Sequence, residues 1–211
     1  MIKAIPTRYH GIKFRSRLEA KWAVFFDACG VDWSYEPEGY SLLDGECYLP
    51  DFLLKAVPIH KSFGNPNEII YEKTMDLYME VKGKMHICDA KKLHACVEKN
   101  AFPFLIVGDI PKHDTSESID DVIFERAYKD FGFGMAEFNS CYIDGDEFGL
   151  VPGISQDGKF GLFGHDGSYT QYLDLDKTEK AYDIARNVRF DHGYTPTYQQ
   201  VIDMMREEFS R

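Results

Sequence analysis

Between residues 16 and 29 Leu18, Trp22, Phe25, Phe26 and Cys29 fall at i, i+4, i+7, i+8 and i+11, an apolar stripe, and the run closes on Gly30. That spacing predicts a helix over 16–29 that buries one side against a core and stops at the glycine. Shorter apolar runs bounded by turn residues follow, and they predict strands over 31–36, 39–43, 46–54 and 76–82, a helix over 86–99 and a strand over 102–108. The last of these, Phe102-Pro-Phe-Leu-Ile-Val-Gly, reads as a buried strand, with Pro103 near its start where a missing N–H is tolerated. It should lie beside the 76–82 strand. Residues 55–75, with Pro58, Gly64, Pro66 and Asn67, predict a long insertion, from which His60 and Lys61 either approach a ligand or form plain exposed loop.

Past residue 109 the pattern changes. Residues 114–121 are polar and acidic, as in a linker, and 133–175 contains aromatic runs punctuated by glycine, such as Lys159-Phe-Gly-Leu-Phe-Gly, which predict small strands and turns. Helical periodicity returns with Ala181, Ile184, Ala185 and Val188 on one face, and again after Pro196 over 198–209. The division expected is a core over 1–109 and a carboxy-terminal elaboration over 110–211.

Composition narrows the class. The 211 residues are 44% hydrophobic and 15% aromatic, which describes a folded globular chain. Five cysteines, Cys29, Cys47, Cys88, Cys96 and Cys141, are odd in number and form no C-x-x-C pair, so reduced thiols in a cytoplasmic protein are expected rather than a disulfide framework or a zinc site. No apolar run reaches membrane-spanning length, and no membrane partner is expected.

Charge cuts against one class of partner and then partly restores it. A net charge of −11 should repel nucleic acid, whose binding draws on Lys and Arg. Within residues 1–21, however, Lys3, Arg8, Lys13, Arg15, Arg17 and Lys21 stand against Glu19 alone, six minus one or +5, which leaves −16 for the remainder. If DNA is a partner, Lys13, Arg15 and Arg17 are the candidates for holding its phosphates. Arg186 and Arg189, three apart, either share a phosphate track or, more simply, are exposed or pair with the acidic half.

The chemistry-bearing pattern is Pro50-Asp51 followed by Glu80-Val81-Lys82. Alternation along a strand turns Glu80 and Lys82 to one face, where a neighbouring strand can bring Asp51 beside them. Two carboxylates and an ammonium in one place offer hard oxygen ligands for Mg²⁺ and a fixed cation for an attacked phosphate or an attacking water. The plainer reading is a half-buried sheet surface with Glu80 and Lys82 solvated or loosely paired. A second Glu-x-Lys, Glu19-Ala20-Lys21, lies in the helical pattern, where residues two apart diverge. Ser16-Arg17-Leu18-Glu19 also fits a capping box, which would engage Glu19 at the helix start. Arg15, four residues earlier, could orient Glu19 or touch a phosphate.

The run from Tyr9 to Asp27, then Tyr35-Glu-Pro-Glu-Gly-Tyr, then Tyr48-Leu-Pro-Asp-Phe, resembles in residues and in order the phage and prophage nucleases of the PD-(D/E)xK superfamily. The resemblance spans residues 8–108, and 185–193 resembles a tail found in nucleases of this kind. It implies an α/β fold, a PD-(D/E)xK (restriction-endonuclease-like) core of order α-β-β-β-α-β, with a carboxy-terminal α+β elaboration. It also implies Mg²⁺-dependent DNA endonuclease activity, with Mn²⁺ as a substitute ion and 5′-phosphate products. Glu19, Asp51, Glu80 and Lys82 would be catalytic, and Asp51, Glu80, Glu19 and the Val81 carbonyl would hold the metal. Two alternatives stay open: a recombination or end-processing exonuclease on the same site, and an interaction factor whose acidic surface binds a protein. A homodimer or a protein partner through the carboxy-terminal half is also open.

Overall fold

The structure is a computed structural model and describes residues 4–41, 45, 47–61, 71–83, 89, 92, 104–111, 140–143, 146–164, 173–190 and 194–210. It is a mixed α/β arrangement with three helices among the described residues and a mixed, curled sheet.

The chain opens with a hairpin, β1 (Thr7–Tyr9) and β2 (Ile12–Phe14), turning through His10 and Gly11 at φ 51° and 78°. Positive φ at both central residues gives a two-residue turn whose twist matches the strands it joins. Thr7, Tyr9 and Phe14 point inward and are buried, while Arg8 and Lys13, directly opposite each other, point outward.

Helix α1 (Arg17–Ala28) follows, with Ser16 at its N-cap accepting the Glu19 N–H at 3.1 Å and Gly30 just past its end at φ 68°. The helix is buried on more than the single side its apolar stripe predicts. Ala20, Ala23 and Val24 are buried together with Trp22, Phe25 and Phe26, because two layers sandwich it. The sheet covers one side, where Phe26 meets Phe52 at 5.4 Å, and helix α2 (Leu175–Asn187) covers another, where the Phe25 and Tyr182 rings stack at 4.5 Å. Helix α3 (Tyr198–Phe209) carries a full capping box between Thr197 and Gln200 and packs Val201 and Met205 into the same core.

In chain order the strands are β3 (Trp33–Tyr35), β4 (Tyr40–Ser41), β5 (Cys47–Tyr48), β6 (Phe52–Lys61), β7 (Tyr71–Val81), β8 (Phe104–Val107), β9 (Ser140–Ile143), β10 (Asp146–Ile154) and β11 (Phe160–Gly164). The small hairpin β4–β5 stands apart, and the main sheet runs β11-β10-β9-β8-β7-β6-β3. β7 and β8 are parallel, as are β11 and β6, whose pairing of Leu162 with Ile59 and Phe163 with His60 curls the sheet back on itself. The apolar run at 104–107 does lie beside the Glu80 strand, Ile106 opposite Glu80.

Three expectations change. The strand expected over 46–54 is broken: β5 ends at Tyr48 and β6 begins at Phe52, so Asp51 sits at a junction, its carbonyl accepting the Glu36 N–H at 2.9 Å. Residues 55–75 are not mainly loop, because β6 and β7 extend as an antiparallel pair out to Lys61 opposite Tyr71. His60 is therefore a strand residue, its ring stacked on Phe163 at 4.7 Å, rather than a loop residue reaching for a ligand. Pro58, a residue that reads as a strand breaker, is accommodated in β6 beyond a bulge between Leu54 and Val57, with Ala56 at φ 49°. The helix expected over 86–99, apart from Asp89 and Lys92, and the linker expected over 114–121 lie outside the described residues. One cluster of buried residues draws on both halves of the chain, from Tyr9 and Phe52 to Tyr182 and Met205.

Candidate active site

Antiparallel register places Phe52 opposite Met79, so one step further along the pair Asp51 faces Glu80. Both carboxylates are 2% exposed. Asp51 accepts the Val81 N–H on Oδ2 at 2.8 Å and the Arg15 guanidinium on Oδ1. A strand residue's N–H and C=O leave on the same edge, so the Val81 carbonyl is directed to the Asp51 side, while the Lys82 N–H turns the other way to the Val107 carbonyl at 2.9 Å. Glu80 receives the Lys82 ammonium on Oε1 at 2.5 Å and the Tyr48 hydroxyl on Oε2. The alternation that predicted a shared face for Glu80 and Lys82 is realised as a direct ion pair.

Glu19 approaches from the first turn of α1 and is 6% exposed. Its Oε2 accepts the Tyr35 hydroxyl at 2.6 Å and the Arg15 N–H at 3.0 Å, and its Oε1 accepts the Ser16 hydroxyl at 2.7 Å. The expected capping box is thus half formed: Ser16 caps the Glu19 N–H, but the carboxylate reaches the Arg15 N–H, drawn toward β3 by Tyr35. Among the described residues the donor to Oε1 is the Ser16 hydroxyl, so capping leaves room for a further role. Arg15 is the hub that ties the pieces together. Its backbone serves Glu19, its guanidinium bridges Asp51 and Glu36, the latter at 2.9 Å, and its side chain is 54% exposed.

Electrostatics follow from this packing. Burial above all, and then the negative charge of Glu80, push Asp51 up to about 8; Glu19 adds to the push, while the Val81 N–H and Arg15 oppose it. Burial works against the Lys82 ammonium, but Glu80, with Asp51 behind it, more than offsets this and holds its pKa above the ordinary lysine value. Tyr35 is raised by burial and by its bond to Glu19, so it stays a hydroxyl donor.

The structure therefore brings Glu19, Asp51, Glu80 and Lys82 together with Arg15. Lys13 and Arg17 do not touch the carboxylates: Lys13 is exposed on β2, and Arg17 opens α1 with its Nε buried and without a hydrogen-bond partner. Arg186 is engaged elsewhere, with Glu179, Asp183 and the Pro111 carbonyl, while Arg189 is exposed. Tyr35, Glu36 and Tyr48 belong to the site although the sequence reading gave them no role. Their signal was present, since all three lie in the runs that carry the family resemblance.

Among the described residues no three His, Cys, Asp or Glu side chains form a metal-holding cluster. A magnesium ion does not require three, because it keeps several waters and is held through one or two carboxylates. The donor set fits it: two buried carboxylates that repel each other, beside a peptide edge whose carbonyl faces the same way. A divalent cation would replace Arg15 and Lys82 as the charge that balances them.

Set against protein-family models, curated proteins and solved structures, the chain matches none of them. Among the described residues no helix is long and apolar enough to cross a membrane.

Proposed function

We propose that this chain is a Mg²⁺-dependent DNA endonuclease of the PD-(D/E)xK type. The observation that carries the reading is the buried pair of Asp51, just before β6, and Glu80, near the end of β7, with Lys82 bonded to Glu80. Burying two carboxylates side by side opposes folding unless their charge is used or compensated, and a site that costs stability points to chemistry. Asp51 and Glu80 would hold the ion, with the Val81 carbonyl and Glu19 as further oxygen donors. Such an ion supplies Lewis acidity and lowers the pKa of a bound water. Lys82 places a positive charge beside the reacting phosphate, and Tyr48 fixes the Glu80 carboxylate. Arg15 is positioned to meet a phosphate oxygen once a cation has taken its place on Asp51. DNA as substrate, and endonuclease rather than exonuclease action, rest on the sequence resemblance.

A second reading has an observation of its own. Each oxygen of Asp51 and Glu80 already has an internal partner, which is also how a non-catalytic nuclease-like scaffold would neutralise such a pair. Incubating wild-type and Glu80→Ala protein with supercoiled and linear DNA, in Mg²⁺ or EDTA, separates the readings. Nicking of circular DNA by the wild type in Mg²⁺ alone supports the endonuclease, degradation confined to linear DNA supports an exonuclease, and no cleavage of any form supports the scaffold.

A further inference from the structure

We infer that the outward face of the β1–β2 hairpin, with the start of α1, is a docking surface for the phosphate backbone of DNA. Most described lysines and arginines rest against carboxylates, as Lys55 does on Asp76 and Arg206 on Asp203. Among the described residues Arg8, Lys13, Arg17 and Arg189 have no ion pair. In a chain of net charge −11 this grouping runs against the mean. Three of the four lie within ten residues, on β1, on β2 and at the first position of α1.

Each of the three occupies a position where a positive charge opposes the fold. Arg8 and Lys13 are directly opposite across an antiparallel pair, on one face, where like charges repel. Arg17 sits at the amino-terminal end of a helix, whose dipole disfavours a cation, and its Nε is buried without a partner. The backbone cannot relieve the repulsion by splaying. Tyr9 is locked inward by its bond to Asp27 at 2.6 Å and by the Phe190 ring at 6.2 Å, and His10 at the turn stacks on Tyr198 at 4.1 Å. A rigid frame holding like charges together is suited to a partner that brings the opposite charge in a repeating array. The nucleic-acid backbone is such a partner, and β2 leads from Lys13 within two residues to Arg15, which touches Asp51. The surface and the carboxylate site are thereby continuous. Arg8 thus joins Lys13 and Arg17 on this surface, and Arg15 links it to the carboxylate site.

The inference rests on the DNA reading but not on catalysis, so binding is measured in EDTA on a short duplex over a salt series. With three phosphate contacts the affinity should fall about 40-fold between 50 and 200 mM salt, a slope of about 0.9 per contact on logarithmic axes. Arg8→Glu should weaken binding about tenfold at 100 mM salt and flatten the slope by about one contact, while raising thermal stability, because it creates an opposite-charge pair with Lys13. Affinity falling as stability rises separates a docking role from a structural one. Lys159→Glu, with the same change in net charge at the β10–β11 turn, is the control and should bind as the wild type does. Equal affinities for Arg8→Glu and Lys159→Glu overturn the inference, as does loss of binding to phosphatidylserine vesicles with duplex binding intact. Cleavage lost in Glu80→Ala while hairpin variants bind normally would sink the surface and spare the nuclease. Binding lost in Arg8→Glu with no cleavage by the wild type would do the reverse.

Discussion

The chain contains the pattern Glu-x-Lys twice, and the two copies behave in opposite ways. In β7, Glu80 and Lys82 meet at 2.5 Å. In α1, Glu19 turns to Tyr35, Ser16 and Arg15, while Lys21 reaches away to the Arg186 carbonyl at 2.9 Å. A strand returns every second side chain to one face, whereas a helix turns residues two apart by about 200°. The same three letters therefore make an ion pair in one place and a bridge between layers in the other. Glu19 still reaches the site, but as a neighbour of Asp51 and without its lysine.

The sharpest way to break this comparison is to delete each member in turn. Glu80→Ala and Asp51→Ala should each abolish Mg²⁺-dependent cleavage, while Lys21→Ala should leave turnover within about twofold; a supercoiled-plasmid nicking assay checks all three. Next, Lys82→Ala should lower kcat by about two to three orders of magnitude with little change in DNA affinity, as for a charge acting on the reacting phosphate. Single-turnover kinetics with a separate binding measurement decide it, and weak binding with normal turnover would make Lys82 a simple phosphate contact.

Stability should respond to the same contrast. Asp51 titrates near 8 in the folded chain and near 3.9 when unfolded, so between those values the folded form holds the extra proton. Stability of the metal-free protein should therefore fall as pH rises from about 4 to 8, by the linkage of proton binding to folding. Asp51→Asn should flatten that decline and raise Tm at pH 8 in EDTA, whereas a pH-independent Tm in the wild type would contradict the shift. The smallest effects belong to the helical copy: Lys21→Met should cost about 1 kcal/mol through its lost bond to the Arg186 carbonyl, and Ser16→Ala a similar amount through the lost cap. Urea titration measures both.

Much of the site was legible because its geometry is local. The period of 2 in 76–82 put Glu80 and Lys82 together, and the period of 3.6 in 16–29 placed Glu19 on a helix start. Asp51 opposite Glu80 needed a register, which sequence alone leaves open until the strands pair. Tyr48 and Tyr35 were not legible as partners, since a hydroxyl's target depends on what the fold brings to it. The extended β6–β7 pair was hidden by Pro58, a residue that reads as a strand breaker and is accepted here past a bulge. The sandwiching of α1 was hidden by distance, because its second cover, α2, begins at Leu175.

The curl of the sheet has a consequence for how the chain comes to be made. The outer edge of β6 is shared: its first residues pair with β3, and Ile59 and His60 pair with β11, roughly a hundred residues later. The contact is close, since a methyl group on Gly161 would stand 2.9 Å from the His60 ring. During synthesis the far part of that edge must wait, unpaired, until β11 leaves the ribosome. An open strand edge is a template for pairing with another chain. Truncations that end before Phe160 should therefore aggregate rather than merely lose activity, and Gly161→Ala should shift the same balance in the intact chain.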